Sequence, residues 1–172
     1  MPGSKAVTIN PAARDAQAAR QARRRSALRT NSAAICVMLL IQYGLGMGVN
    51  LYAQVPAADH GGGLAVAVGR SLTSQPAVLA AHTVLGLLML AAGISVLTRA
   101  IIAQHRRAIA ASAAGLAAIT AAAVSGAAFV SNERADASMA MAVLTGVALL
   151  CYLANLLLAS PGAAVTPWSP DE

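Results

Sequence analysis

The stretch AVLAAHTVLGLLMLAAGISVLTRAII, residues 77–102, contains one histidine and one arginine and is otherwise uncharged. A helix rises about 1.5 Å per residue, so a run of this length crosses a hydrocarbon core about 30 Å thick. The stretch therefore reads as a membrane-spanning helix, and it sets a problem. His82 lies inside it, where a polar group buried without a partner costs free energy.

Three further runs have the same character, so the expected spans cover residues 33–53, 77–102, 109–130 and 138–159. Only 10% of the 172 residues are charged and 58% are hydrophobic, whereas ordinary soluble domains carry about 25% charged residues. The expected fold is an all-α membrane protein, a four-transmembrane-helix antiparallel bundle. Around the bundle (32–160), residues 1–31 form a basic, partly helical arm, 54–76 an outer loop, and 161–172 a tail.

The basic residues set the direction. Lys5, Arg14, Arg20, Arg23, Arg24, Arg25 and Arg29 precede the first span, and Arg99, Arg106 and Arg107 flank the second connection. The other two connections hold only Arg70 and Arg134. Positive charge concentrates on the cytoplasmic side, which predicts both termini inside, at a bacterial inner membrane. In the arm, Asn10 and Pro11 fit a helix start, and Arg23, Arg24 and Arg25 suit an anionic inner leaflet. The net charge of +6 is thus a topology signal. The arm lacks the interleaved aromatics and motifs of a nucleic-acid module, so no nucleic-acid partner is expected.

Helices in lipid associate through close backbone approach and buried hydrogen bonds. Candidate packing positions are Gly44 and Gly48 (a GxxxG), with Gly46 beside them, then Gly93 on the second span and Gly115 and Gly126 on the third. His82 and Gly86 share a face with Gly93. Ser138, Thr145, Tyr152 and Asn155 make a polar stripe on the fourth span, and Gln42, Tyr152 and Asn155 are the polar groups of the inner half.

His82 is the one ionisable residue well inside a span, leaving aside tyrosine and cysteine, and such residues mark functional sites. Asn50, Tyr52, His60, Ser138 and Met141 gather at the same outer end. Three readings stay open. His82 bonds across the bundle, to Asn50, Ser138 or a carbonyl, and fixes register. Alternatively it ligates haem, with His60 or Met141 as second ligand and Gly86 making room. In the third reading it lines an outward-facing quinone, lipid or ion site. His105 belongs to an interfacial charge cluster, and Cys36 and Cys151 read as buried apolar residues. Part of the outer loop, GLAVAVGRSL, suits either a short helix over the mouth near His82 or an irregular cap.

GVNLY (Gly48–Tyr52), the histidine of the outer loop, H-x-x-x-G (His82–Gly86) and S-x-x-M-A-V (Ser138–Val143) together resemble a group of uncharacterised bacterial four-helix membrane proteins. That resemblance covers most of residues 32–160. H-x-x-x-G is also similar to the histidine-bearing helix of haem A synthase-type and other b-type haem membrane proteins, which implies haem at His82. Those proteins pair histidines on different helices, and the third and fourth spans here have none.

No nucleophile elbow, phosphate loop, paired carboxylate or metal motif is present. The expected role is non-catalytic: an accessory or scaffold subunit of a larger membrane complex, or a homo-oligomer. Haem-based electron transfer through His82 and quinone or lipid binding are the alternatives.

Overall fold

A computed structural model describes residues 11–52, 64–73, 77–132 and 135–160. They form five helices: α1 (Pro11–Tyr52), α2 (Leu64–Thr73), α3 (Ala77–Ile102), α4 (Arg106–Asn132) and α5 (Ala135–Leu158). Among the described residues there is no strand. All but α2 are long and apolar enough to cross a membrane.

The four long helices close a ring. α1 packs on α3 and α5, α4 packs on the same two, and α2 lies over α3 and α4. One periodicity produces this. Leu28, Ser32, Ile35, Leu39, Gln42 and Val49 are the buried positions of α1, and Gly46 is half-buried between the last two. Their spacing alternates four and three, the heptad seam that keeps one helix face on its neighbours over many turns. α3 repeats it through Leu79, Met89, Gly93, Val96 and Ala100, with His82 and Gly86 completing the series. Ala108, Ser112, Gly115, Ile119 and Ala122 carry it on α4, and Ala148, Tyr152 and Asn155 on α5, with Ala159 in the turn just past its end.

The surface is apolar where a soluble protein's would be polar. Leu40, Leu88, Ile94, Ile101, Leu150 and Leu157 are each more than half exposed, a continuous girdle that water would drive into aggregation.

Two features define the arm end of the bundle. α1 begins well before the bundle does, with Pro11–Ser26 exposed and Leu28 the first buried residue. Arm and first span are therefore one unbroken helix of 42 residues, about 63 Å long. Arg24 donates to the Ile102 carbonyl at the end of α3 (3.4 Å), which satisfies one of the acceptors a helix C-terminus leaves open. Close by, α3 turns into α4 through Gln104, whose φ of 54° is left-handed. Gln104 N–H donates to the Ile101 carbonyl (2.9 Å), and the His105 carbonyl accepts from Ile109 N–H (2.9 Å) to open α4.

The glycines differ sharply in what surrounds them. A Cβ on Gly115 would lie 2.8 Å from Tyr152 Cε2, and one on Gly93 2.9 Å from Tyr152 OH. The Tyr152 ring thus fills space that two glycines vacate. Gly48 has only an ordinary contact, 3.8 Å from its Cβ position to Val78 Cγ2, and Gly44 has nothing within 4 Å. The GxxxG pair is out of phase with the α1 seam, and Gly44 points away from the bundle. Gly115→Ala should therefore cost about 1–3 kcal/mol, because the rigid ring behind it has to move. Gly44→Ala should stay within about 1 kcal/mol of the parent or gain slightly. Unfolding of both variants in detergent, followed by far-ultraviolet circular dichroism, measures the difference.

Candidate functional site

His82 meets a residue that the sequence alone assigned to the other half of the bundle. Gln42 sits four residues before Gly46 on the α1 seam and comes against His82 on α3. Its Nε2 donates to the His82 carbonyl (3.0 Å) and lies 3.2 Å from His82 Nε2. A carbonyl only accepts, so the amide nitrogen, not its oxygen, faces that position. The second amide proton then points to the ring, which makes His82 Nε2 the acceptor and places the imidazole proton on Nδ1.

That assignment has a cost. Gln42 Oε1 is left with no partner, and so is the Nδ1–H of His82. Both atoms are buried, and Gln42 as a whole is only 8% exposed. Each unsatisfied group is unfavourable by about 1–3 kcal/mol. One acceptor and one donor of the pair therefore stand unused.

Two glycines make the pairing fit. The Cε1–Nδ1 edge of the ring lies over Gly46, where a Cβ would be 3.2 Å from Cε1 and 3.7 Å from Nδ1. On α3, a Cβ on Gly86 would be 3.4 Å from Gln42 Nε2. Larger residues at either place would push the two side chains apart.

Beside this pair lies a cavity of about 240 Å³ to which all five helices contribute. Gln42 and Gly46 come from α1, Ser71 from α2, His82 and Gly86 from α3, Gly126 from α4, and Ser138 and Met141 from α5. α2 is thus the helical one of the two forms considered for the GLAVAVGRSL segment, and it covers one side of the chamber. Tyr43 (48% exposed), Met47 (51%) and Leu87 (45%) are on the outer face of the bundle and also line the cavity. The chamber therefore communicates with the apolar surface between helices. Its walls are largely aliphatic, and among the described residues that line it none is Asp, Glu, Lys or Arg.

Of the residues singled out from sequence, His82, Gly86, Ser138 and Met141 all line this space. Met141 Sδ rests against Gly126, 3.1 Å from where a Cβ would stand. His60, and the side chains of Asn50 and Tyr52, lie outside the described residues. Gln42 was missed as a site residue, although the seam carried the signal: 35, 39, 42, 46 and 49 follow the four-three alternation.

A second polar layer lies toward the arm end. Asn155 Nδ2 donates to Ser112 Oγ (2.9 Å), both residues being fully buried. Ser32 Oγ, Tyr152 OH and Asn155 Oδ1 are buried without partners. Tyr152 itself is fully buried, with its ring packed against Gly93 and Gly115.

No family model, curated protein or solved structure matches this chain.

The unsatisfied pair yields a stability test. Replacing both partners of a strained polar contact with apolar groups of similar size is nearly neutral or favourable. The double variant Gln42→Leu/His82→Leu should therefore unfold within about 1 kcal/mol of the parent, or later. A loss of several kcal/mol would mean that the contact exists to hold the helices together.

Proposed function

We propose that this chain is an antiparallel four-span protein of the bacterial cytoplasmic membrane, with both termini inside, and that it binds an apolar small molecule in the cavity beside His82. It acts without catalysis of its own, as the binding subunit of a membrane assembly or oligomer. The observation that carries this reading is a largely aliphatic cavity of about 240 Å³ lined by one incompletely hydrogen-bonded polar pair, Gln42 and His82. Ligand sites in proteins have this form, a mostly apolar space with a few placed polar groups.

The antiparallel arrangement is supported by the register of α4 and α5. Gly126 meets Met141, Gly115 meets Tyr152 and Ser112 meets Asn155, so each step back along α4 is a step forward along α5. The orientation is supported by the arginines. Arg24 reaches the end of α3, which sets Arg23, Arg24 and Arg25 level with Arg99, Arg106 and Arg107, at the headgroups of the anionic leaflet. In that orientation the cavity belongs to the outer half. A ligand dissolved in the bilayer reaches it past Tyr43, Met47 and Leu87 without crossing water.

Two measurements test this. Protein extracted in mild detergent should carry an apolar molecule detectable by mass spectrometry, at least tenfold depleted in Ala142→Phe, whose ring fills the chamber. Retention unchanged in that correctly folded variant would remove the cavity from the account. A Soret band that disappears in His82→Ala would replace it with haem chemistry. Separately, an N-terminal epitope should be protected from protease added to intact cells and cleaved once the cells are opened. Cleavage in intact cells would invert the topology.

A further inference from the structure

We infer that the flank of α1 turned toward α5 seats one anionic phospholipid, with its phosphate at Arg25 and Arg29 and an acyl chain lying along the helix as far as the lateral opening of the cavity. The inference goes beyond the small-molecule reading and does not depend on it.

Rotation about α1 defines the flank. Residues eighteen apart are separated by about five full turns of 3.6 residues, so they lie on one line along the helix. Arg24 and Gln42 are such a pair, and both face α3: Arg24 Nη1 donates to the Ile102 carbonyl (3.4 Å) and Gln42 Nε2 to that of His82 (3.0 Å). Arg25 lies on one line with Tyr43, and Arg29 with Met47, both rotated to the other side of the buried seam. α1 packs on α3 and α5, so this second flank is the one beside α5.

Its chemistry is that of an amphiphile. Arg29, Ala33, Cys36, Leu40, Tyr43 and Met47 follow one four-three alternation, none of them is buried, and Leu40, Tyr43 and Met47 are about half exposed. Tyr43 and Met47 also line the cavity. Charge is confined to one end, where Arg25 and Arg29 are a turn apart and exposed. Among the described residues neither meets a carboxylate; the nearest acid along the helix, Asp15, is about 15 Å from Arg25. Arg24 has a protein acceptor, and these two arginines have their donors free for one from the bilayer.

Length selects the occupant. Arg29 to Tyr43 is about 21 Å along the axis, and one leaflet, headgroup included, is about 20–22 Å deep. A phospholipid whose phosphate meets the arginines therefore ends its chain beside Tyr43, at the mouth of the cavity. Basic residues near the surface favour anionic headgroups over zwitterionic ones, and two of them multiply that preference.

Native mass spectrometry of the full chain in mild detergent tests the site, with phosphatidylglycerol and phosphatidylcholine of identical chains as probes. The parent should retain phosphatidylglycerol about tenfold or more over phosphatidylcholine. Arg25→Gln/Arg29→Gln, changed only at exposed positions, should lose that preference, and Arg14→Gln/Arg20→Gln, farther from the bundle, should keep it. Equal retention of the two lipids by the parent, or a preference that survives Arg25→Gln/Arg29→Gln, would overturn the site. Inorganic phosphate in tenfold excess should leave the lipid bound; displacement would make this a site for soluble anions and overturn the lipid assignment. Phosphatidylglycerol carrying a diazirine at the end of an 18-carbon chain should, on irradiation, label the segment that holds Tyr43 and Met47. Label spread evenly over the four long helices would overturn the placement of the chain, whatever the cavity itself binds.

Discussion

Lipid tails are as apolar as leucine, so burying a leucine between two membrane helices gains little over leaving it in the bilayer. What holds such helices together is close contact, and here the contact is distributed along one four-three seam per helix. Where that seam pairs glycine with a bulky partner, the bundle closes. Gly93 and Gly115 take the Tyr152 ring between them, and the ring is fully buried. Farther along, the seam sets Gly46, Gly86 and Gly126 opposite Gln42, His82 and Met141. These six residues also line the cavity. One rule of packing therefore produces both the closed half and the hollow half of the molecule.

The long helices were legible because nothing competes with their signal: four apolar runs of spanning length in a chain with few charges admit little else. The finer packing was harder. A GxxxG motif records spacing and not phase, and the pair Gly44/Gly48 has the right spacing on the wrong side of α1. Phase could be recovered only by threading the whole helix, since Leu28, Ser32, Ile35, Leu39 and Gln42 fix the seam and select Gly46. Gln42 was misplaced for a related reason. Its depth was counted from the ends of α1, whereas α1 continues past its neighbours and the relative slide of two helices is set by contacts. Neither α1 nor α3 carries that slide in its own sequence.

The basic residues show topology prevailing over local helix preference. Arg106 and Arg107 open α4, where the helix dipole favours acids, a penalty of about 0.3–1 kcal/mol for each charge near the terminus. α5 opens with Asp136, the favoured sign. What sets Arg106 and Arg107 there is the end of the bundle they share with Arg24, Arg99 and the arm. In the proposed orientation, lipid headgroups and the positive-inside bias act on that whole end and outweigh the dipole of one helix.

A histidine kept only to lock helix register has a simple optimum, in which both nitrogens are bonded and the partner is chosen to bond them. His82 departs from that optimum. Its partner, Gln42, offers donors where one donor and one acceptor would have satisfied the ring. Apolar residues at both positions would pack as well without leaving an unpaired oxygen and an unpaired N–H. Buried polar networks that stabilise a fold are complete, because an incomplete one is worse than none. Gln42 and His82 both line the cavity, so the incomplete network and the space for another molecule meet at the same two residues. That coincidence is what the proposed function rests on: a ligand that completed the network would give the imidazole its reason to be in the membrane.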